Sequence, residues 1–136
     1  MPIGIKRTNT SALVYASPFR GKVEHFVQVE IDASALTSRE VDADGVLKPG
    51  VTFNIATGLL PTAAGQKVGV THEPVKLGAS LAAVQAIATA DDPQIAVGVI
   101  GILNRDIMED NLGSAVSAAE IAALDGAGSR LVLLTT

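Results

Sequence analysis

The sequence predicts a small, mainly β domain with one short α-helix near its C-terminus and an extended N-terminal arm. Three observations carry that expectation. Lys22 to Asp32 alternates residue by residue, Ile95 to Leu103 is continuously apolar, and Gly and Pro punctuate the chain at short intervals. At 136 residues the chain suits one body with its own core. We divide it into an arm, residues 1–21, and a single β-rich domain, residues 22–136.

The arm contains Pro2, Gly4, Pro18 and Gly21, with a β-prone patch at Ala12-Leu13-Val14-Tyr15. Fully extended, such a leader reaches roughly 70 Å, farther than the body's own diameter. In the segment that follows, Val23, His25, Val27, Val29 and Ile31 alternate with Glu24, Phe26, Gln28, Glu30 and Asp32, the period of a half-buried strand.

Ser34 to Asp44 reads as a loop. The stretch DADGVLKPGVTF, Asp42 to Phe53, holds two turn signals, Asp44-Gly45 and Pro49-Gly50, with short strands expected at Val46-Leu47 and from Val51 to Ala56. Its glycine spacing imitates a phosphate-binding loop. That motif continues with Lys and then Ser or Thr, whereas Val51 and Thr52 stand here, so the β-turn reading is preferred.

Val68 to Leu77 alternates again and is interrupted by Pro74, which favours an edge or a bulge. Ala79 to Ala90 suits either helix or strand, and we expect strand or irregular structure. The run IAVGVIGIL, Ile95 to Leu103, predicts a strand buried on both faces, with Gly98 and Gly101 admitting close backbone approach. Ser117-Ala118-Ala119-Glu120 matches a capping box, so a helix of about two turns is expected to start there and stop at a left-handed Gly126. Arg130 to Thr135 reads as the last strand.

Composition narrows the function. Three Phe, one Tyr and no Trp leave few platforms for stacking on bases or sugars, so nucleic-acid recognition is not expected. Without Cys there is no disulfide, thiolate or zinc-thiolate chemistry. The uncharged run Leu77 to Ala90 is too short for a membrane span, and Lys6 and Arg7 precede no apolar stretch resembling a signal peptide, so we expect no membrane partner and synthesis without export. Residues 1–23 carry four basic and no acidic side chains; the rest carry six basic and all 14 acidic ones. A basic leader thus precedes an acidic body.

The search for chemistry finds no nucleophile. His25 and His72 each have an acidic neighbour, Glu24 and Glu73, but consecutive strand residues point to opposite faces, so neither pair is expected to touch. Asp106, Glu109 and Asp110 would share a face only if their segment were helical, and we expect a solvated acidic turn there. No Ser stands in a Gly-x-Ser-x-Gly elbow. Lys48, between the two turns, is a candidate contact residue at a loop tip. Neither a cofactor nor a metal is expected, and the chain reads as a non-enzymatic binding or structural module.

At this point the stretch around Gly45, Leu47, Pro49, Gly50, Val51 and Phe53, followed by Ala96, Val97, Gly98, Val99 and Ile100, resembles the head decoration proteins of tailed bacteriophages, the lambda-type group in particular. In that family a G-x-L-x-x-G-T-V-L segment precedes an A-V-G-I-L strand and a short helix; here Val51-Thr52-Phe53 replaces Thr-Val-Leu. The resemblance implies a small β-barrel or β-tulip-like domain. It further implies a homotrimer on the outer surface of an icosahedral head, made in the host cytoplasm and bound to the major capsid protein, which it stabilises against the pressure of packed DNA. The arm would tie capsomers together through its apolar and basic members, Ile3, Ile5, Lys6, Arg7, Leu13, Tyr15, Phe19 and Arg20. Two alternatives are another virion part, such as a tail-tube or head-completion protein, and a small oligomeric enzyme using His25 or His72 as base.

Overall fold

The computed structural model describes residues 15–126 and 129–134. Sheet predominates over helix, and the sheets are mostly antiparallel and do not close into a barrel. Among the described residues there are seven strands: β1 (His25–Glu30), β2 (Val46–Leu47), β3 (Thr52–Asn54), β4 (Val68–Val70), β5 (Val75–Lys76), β6 (Gln94–Asn104) and β7 (Arg130–Leu134). One sheet runs β1-β6-β4-β3 with β7 also on β6, and β2 with β5 forms a separate ribbon.

The apolar run expected as a strand buried on both faces is β6, the axis of the sheet, but one face is only partly covered. Val99 and Ile100 are half-buried and Ile102 is exposed, because no described element packs over that face of its second half. Its first half pairs antiparallel with β1, Val27 facing Val97 and Val29 facing Ile95. Its second half pairs parallel with β7, from Ile100 opposite Arg130 to Asn104 opposite Leu134. A parallel neighbour needs a crossover connection, and two helices supply it: α2 (Arg105–Leu112) and α3 (Ala118–Leu124). The close approach expected at Gly98 and Gly101 is made by a side chain rather than a backbone, since the ring of Phe19 lies against both.

Two apolar clusters form the core. Val29, Ile31, Leu47, Val51, Phe53, Ile95 and Val97 join the sheet to the β2–β5 ribbon. Phe19, Val68, Val70, Leu103, Met108, Leu124 and Leu131 join it to α2 and α3.

The turn-rich stretch exists because one carboxylate organises it. Asp42 Oδ1 accepts from the backbone of Asp44 at 2.9 Å and of Val46 at 3.1 Å, and the Gly45 N–H closes a turn onto the Asp42 carbonyl at 3.0 Å. Gly45 has φ 76° and Gly50 has φ 101°, backbone that only glycine adopts without strain. Gly50 donates to the Thr71 carbonyl and packs against Met108, so this doubling-back locks the ribbon onto the main sheet and α2.

Helix content exceeds the expectation of a single helix. Ser80 caps α1 (Leu81–Gln85) by accepting from Ala83 and Val84 anchors it in the core, so the ambiguous segment Ala79 to Ala90 holds one short α-helix and no strand, with irregular backbone at Ala86 to Ala88 and a 3-10 turn from Thr89. Asn104 caps α2, with its side chain accepting from Asp106 and Ile107, so the acidic segment is helical and not a turn. The capping box on α3 forms as expected, Ser117 and Glu120 bonding reciprocally. The left-handed helix stop belongs to Gly113, φ 73°, after α2; α3 ends at Asp125 in right-handed backbone, and Gly126 does not adopt positive φ.

The end of the leader is docked on the body. Phe19 bridges Leu103, Asn104 donates to the Pro18 carbonyl, and Arg20 donates to the Ile102 carbonyl, so this segment lines the second half of β6 on the β1 side. Asn111 holds Ala16 by both its amide groups, and the Tyr15 hydroxyl donates to Asp42 at 2.8 Å.

Candidate functional site

The sheet face carries a groove of about 370 Å3. Its registers put three residues in a row across the strands: His25 of β1, Ile100 of β6 and Arg130 of β7. Val27, Val99, Val68 and Ile55 provide the apolar walls, and Lys67 stands on the far side, where its carbonyl accepts from Ile55. Beyond Ile100 the apolar surface continues to Ile102 and Val132, which face each other in register and are 42% and 52% exposed.

The two groove cations, Lys67 and Arg130, differ from the other basic residues beyond residue 23. Arg39 forms a two-pronged pair with Glu120 at 2.6 and 3.1 Å and reaches Glu40 at 3.3 Å. Lys48 donates to the Ser38 and Leu112 carbonyls, Lys76 to the Asp44 carbonyl at 2.7 Å, and Arg105 to Glu109 at 3.1 Å. Lys67 and Arg130 make no side-chain hydrogen bond or ion pair among the described residues, and both line the groove.

Electrostatics elsewhere serve architecture. Burial favours a lower pKa for Arg39, but hydrogen bonds and charge from Glu120 and then Glu40 outweigh it and hold the guanidinium above its ordinary value. Burial lowers Lys48, whose position over the Leu112 carbonyl places a cation at the C-terminal end of α2. Lys48 is therefore a buried helix cap and not the exposed tip residue expected from its place between turns. The backbone N–H of Val116, then Arg105, hold Glu109 below the usual carboxylate range. Burial, then the hydrogen bond to Asp42, pushes the Tyr15 phenol up.

Of the residues assigned to the adhesive leader, Ile3, Ile5, Lys6, Arg7 and Leu13 lie outside the described residues. Tyr15 is half-buried on Asp42, and Arg20 is exposed. Phe19 is 6% exposed and belongs to the core, because the two glycines of β6 leave room for its ring.

The histidine pairs separate into two cases. His72 does reach Glu73, Nε2 to Oε1 at 3.6 Å, because the residues after β4 leave the strand and its facing rule; its ring also lies 4.6 Å from that of Phe26. His25 lies in the groove row, away from any such partner in the described residues. Among the described residues no group of three or more acidic or His side chains is placed to hold a metal ion. Glu109, the middle member of the acidic triplet, is engaged with Arg105 and Val116.

Sequence reasoning missed Lys67 and Arg130. Each is an ordinary flanking residue of a strand, and only the order of strands in the sheet brings them to one groove. No protein-family model, curated protein or solved structure matches the chain.

Proposed function

We propose that the chain is an adhesive structural protein, a decoration protein that binds the outer surface of a tailed-phage head as a trimer and stabilises it against internal pressure. Support comes from the glycine-rich and apolar segments that resemble that family, Gly45 to Phe53 and Ala96 to Ile100, and from the division into a basic leader and an acidic body. The observation that carries the reading is the rooting of the leader. Tyr15, Ala16, Pro18, Phe19 and Arg20 are tied to Asp42, Asn111, Asn104, the core and Ile102, which gives the residues before them a fixed point of departure.

A tether whose base is fixed transmits force to the body instead of peeling from it. Three such leaders on one trimer would bind together, and linked weak contacts gain avidity without new chemistry. Within the leader, Ile3, Ile5, Lys6, Arg7 and Leu13, with exposed Arg20 beside its root, are the proposed capsid contacts. Phe19 is removed from that set by its burial, and Tyr15 becomes part of the root.

Deleting residues 2–14 is expected to leave a folded trimer by light scattering that no longer co-sediments with expanded capsids. Wild-type occupancy by the truncated protein, or a full-length monomer at micromolar concentration, overturns the proposal.

A further inference from the structure

We infer that the sheet-face groove is a docking site for an extended protein segment of alternating apolar and acidic residues. The inference rests on the adhesive reading in one respect, that the occupant is a protein chain, and extends it to a second contact independent of the leader.

Charge is the first argument. The body carries 14 acidic and six basic side chains beyond residue 23; of the six, Arg39 and Arg105 pair with carboxylates and Lys48 and Lys76 donate to backbone carbonyls, whereas Lys67 and Arg130 make no side-chain hydrogen bond or ion pair among the described residues. Two uncompensated cations beside one apolar groove in an acidic body select an anionic partner and disfavour a basic one, the leader of another copy included.

Shape is the second. The groove opens on the sheet and runs on into exposed Ile102 and Val132, so its apolar surface follows the strand direction beyond the cavity itself. Small-molecule sites bury most of their ligand in a concave pocket, whereas an extended chain covers a strip. Side chains of an extended chain point alternately to either side. Apolar ones would enter between Val27, Val99 and Ile100, and carboxylates would meet Lys67 and Arg130 at the borders, with His25 as a further hydrogen-bond donor.

The test uses the full-length protein, isotope-labelled for NMR, and two acetylated, amidated hexapeptides, one alternating Val with Glu and the other Val with Lys. The Glu peptide is expected to shift the amides of Val27, Ile55, Val99 and Ile100, and the Lys peptide to leave them unmoved. In the double variant Lys67→Glu/Arg130→Glu the preference should invert. An equal response to both peptides overturns the inference, as does no shift with the Glu peptide. Tighter binding of decanoate at the same amides assigns the groove to a small amphiphile, and shifts that grow with protein concentration alone assign it to a second copy; either also overturns it. Capsid binding is absent from this experiment, so its failure leaves the leader deletion to decide the adhesive reading separately.

Discussion

Replacing Gly98 by Ala asks whether Phe19 is a core residue on which the leader is rooted. A Cβ at Gly98 would lie 2.6 Å from Cζ of Phe19 and 2.8 Å from Cγ1 of Val23, inside the roughly 3.5 Å at which carbon atoms pack. The backbone at Gly98 is not left-handed, so the cost is steric alone. Overpacking of this kind destabilises by about 1–3 kcal/mol. Phe19→Ala removes a buried ring and should cost about 3–5 kcal/mol. In that background the clash with the ring is gone, and only Cγ1 of Val23, a side-chain methyl with space beside it to turn into, still opposes the new methyl. The penalty falls to roughly zero, the remaining contact offsetting the ~0.5–1 kcal/mol that replacing glycine within a strand gains. The substitution therefore loses most of its cost, giving a coupling of about 1–3 kcal/mol in the double-mutant cycle. Urea denaturation of the four proteins, followed by far-ultraviolet circular dichroism, measures it. Additivity within about 0.5 kcal/mol would refute the packing of Phe19 on β6.

Tyr15 is the protein's one tyrosine, and there is no Trp, so its ionisation can be followed directly by ultraviolet absorbance. Its folded pKa is raised by burial and by Asp42, so the neutral phenol is the form the fold favours; that stabilisation is complete below about pH 10 and is lost as pH rises beyond it. We expect tyrosinate to appear well above pH 10, and earlier in Asp42→Asn; titration of the wild type near 10 contradicts the rooted leader. Arg39→Met strands two carboxylates, Glu40 and Glu120, that are 1% and 2% exposed, and should destabilise by about 3 kcal/mol in urea melts. A loss below 1 kcal/mol would show that the triad is solvated in solution.

Local elements were legible where their cause is local. The alternation in residues 22–32 became β1, the apolar run became β6, and the Ser117–Glu120 box capped α3 with both its bonds. Elements decided by distant partners were not. Ala79 to Ala90 holds both propensities, and Ser80 with a core position for Val84 tips its first half, Leu81–Gln85, to helix. Asp106, Glu109 and Asp110 suit a turn by charge alone, and it is the Asn104 cap, two residues before Asp106, that makes their segment a helix. Lys48 looked exposed because burial of a lysine needs acceptors from far along the chain, here Ser38 and Leu112.

The order of residues by itself determined where strands and turns fall, through side-chain period and the backbone freedom of Gly45 and Gly50, and it determined the basic leader and acidic body. Tertiary structure decided which surfaces those elements share. Phe19 is buried because Gly98 and Gly101 lie opposite it, and Lys67 and Arg130 border one groove because β4 and β7 both join β6. The physical reason is range: turn geometry and hydrogen-bonded caps act over a few residues, whereas packing and electrostatic partnership depend on distances that only the completed sheet establishes.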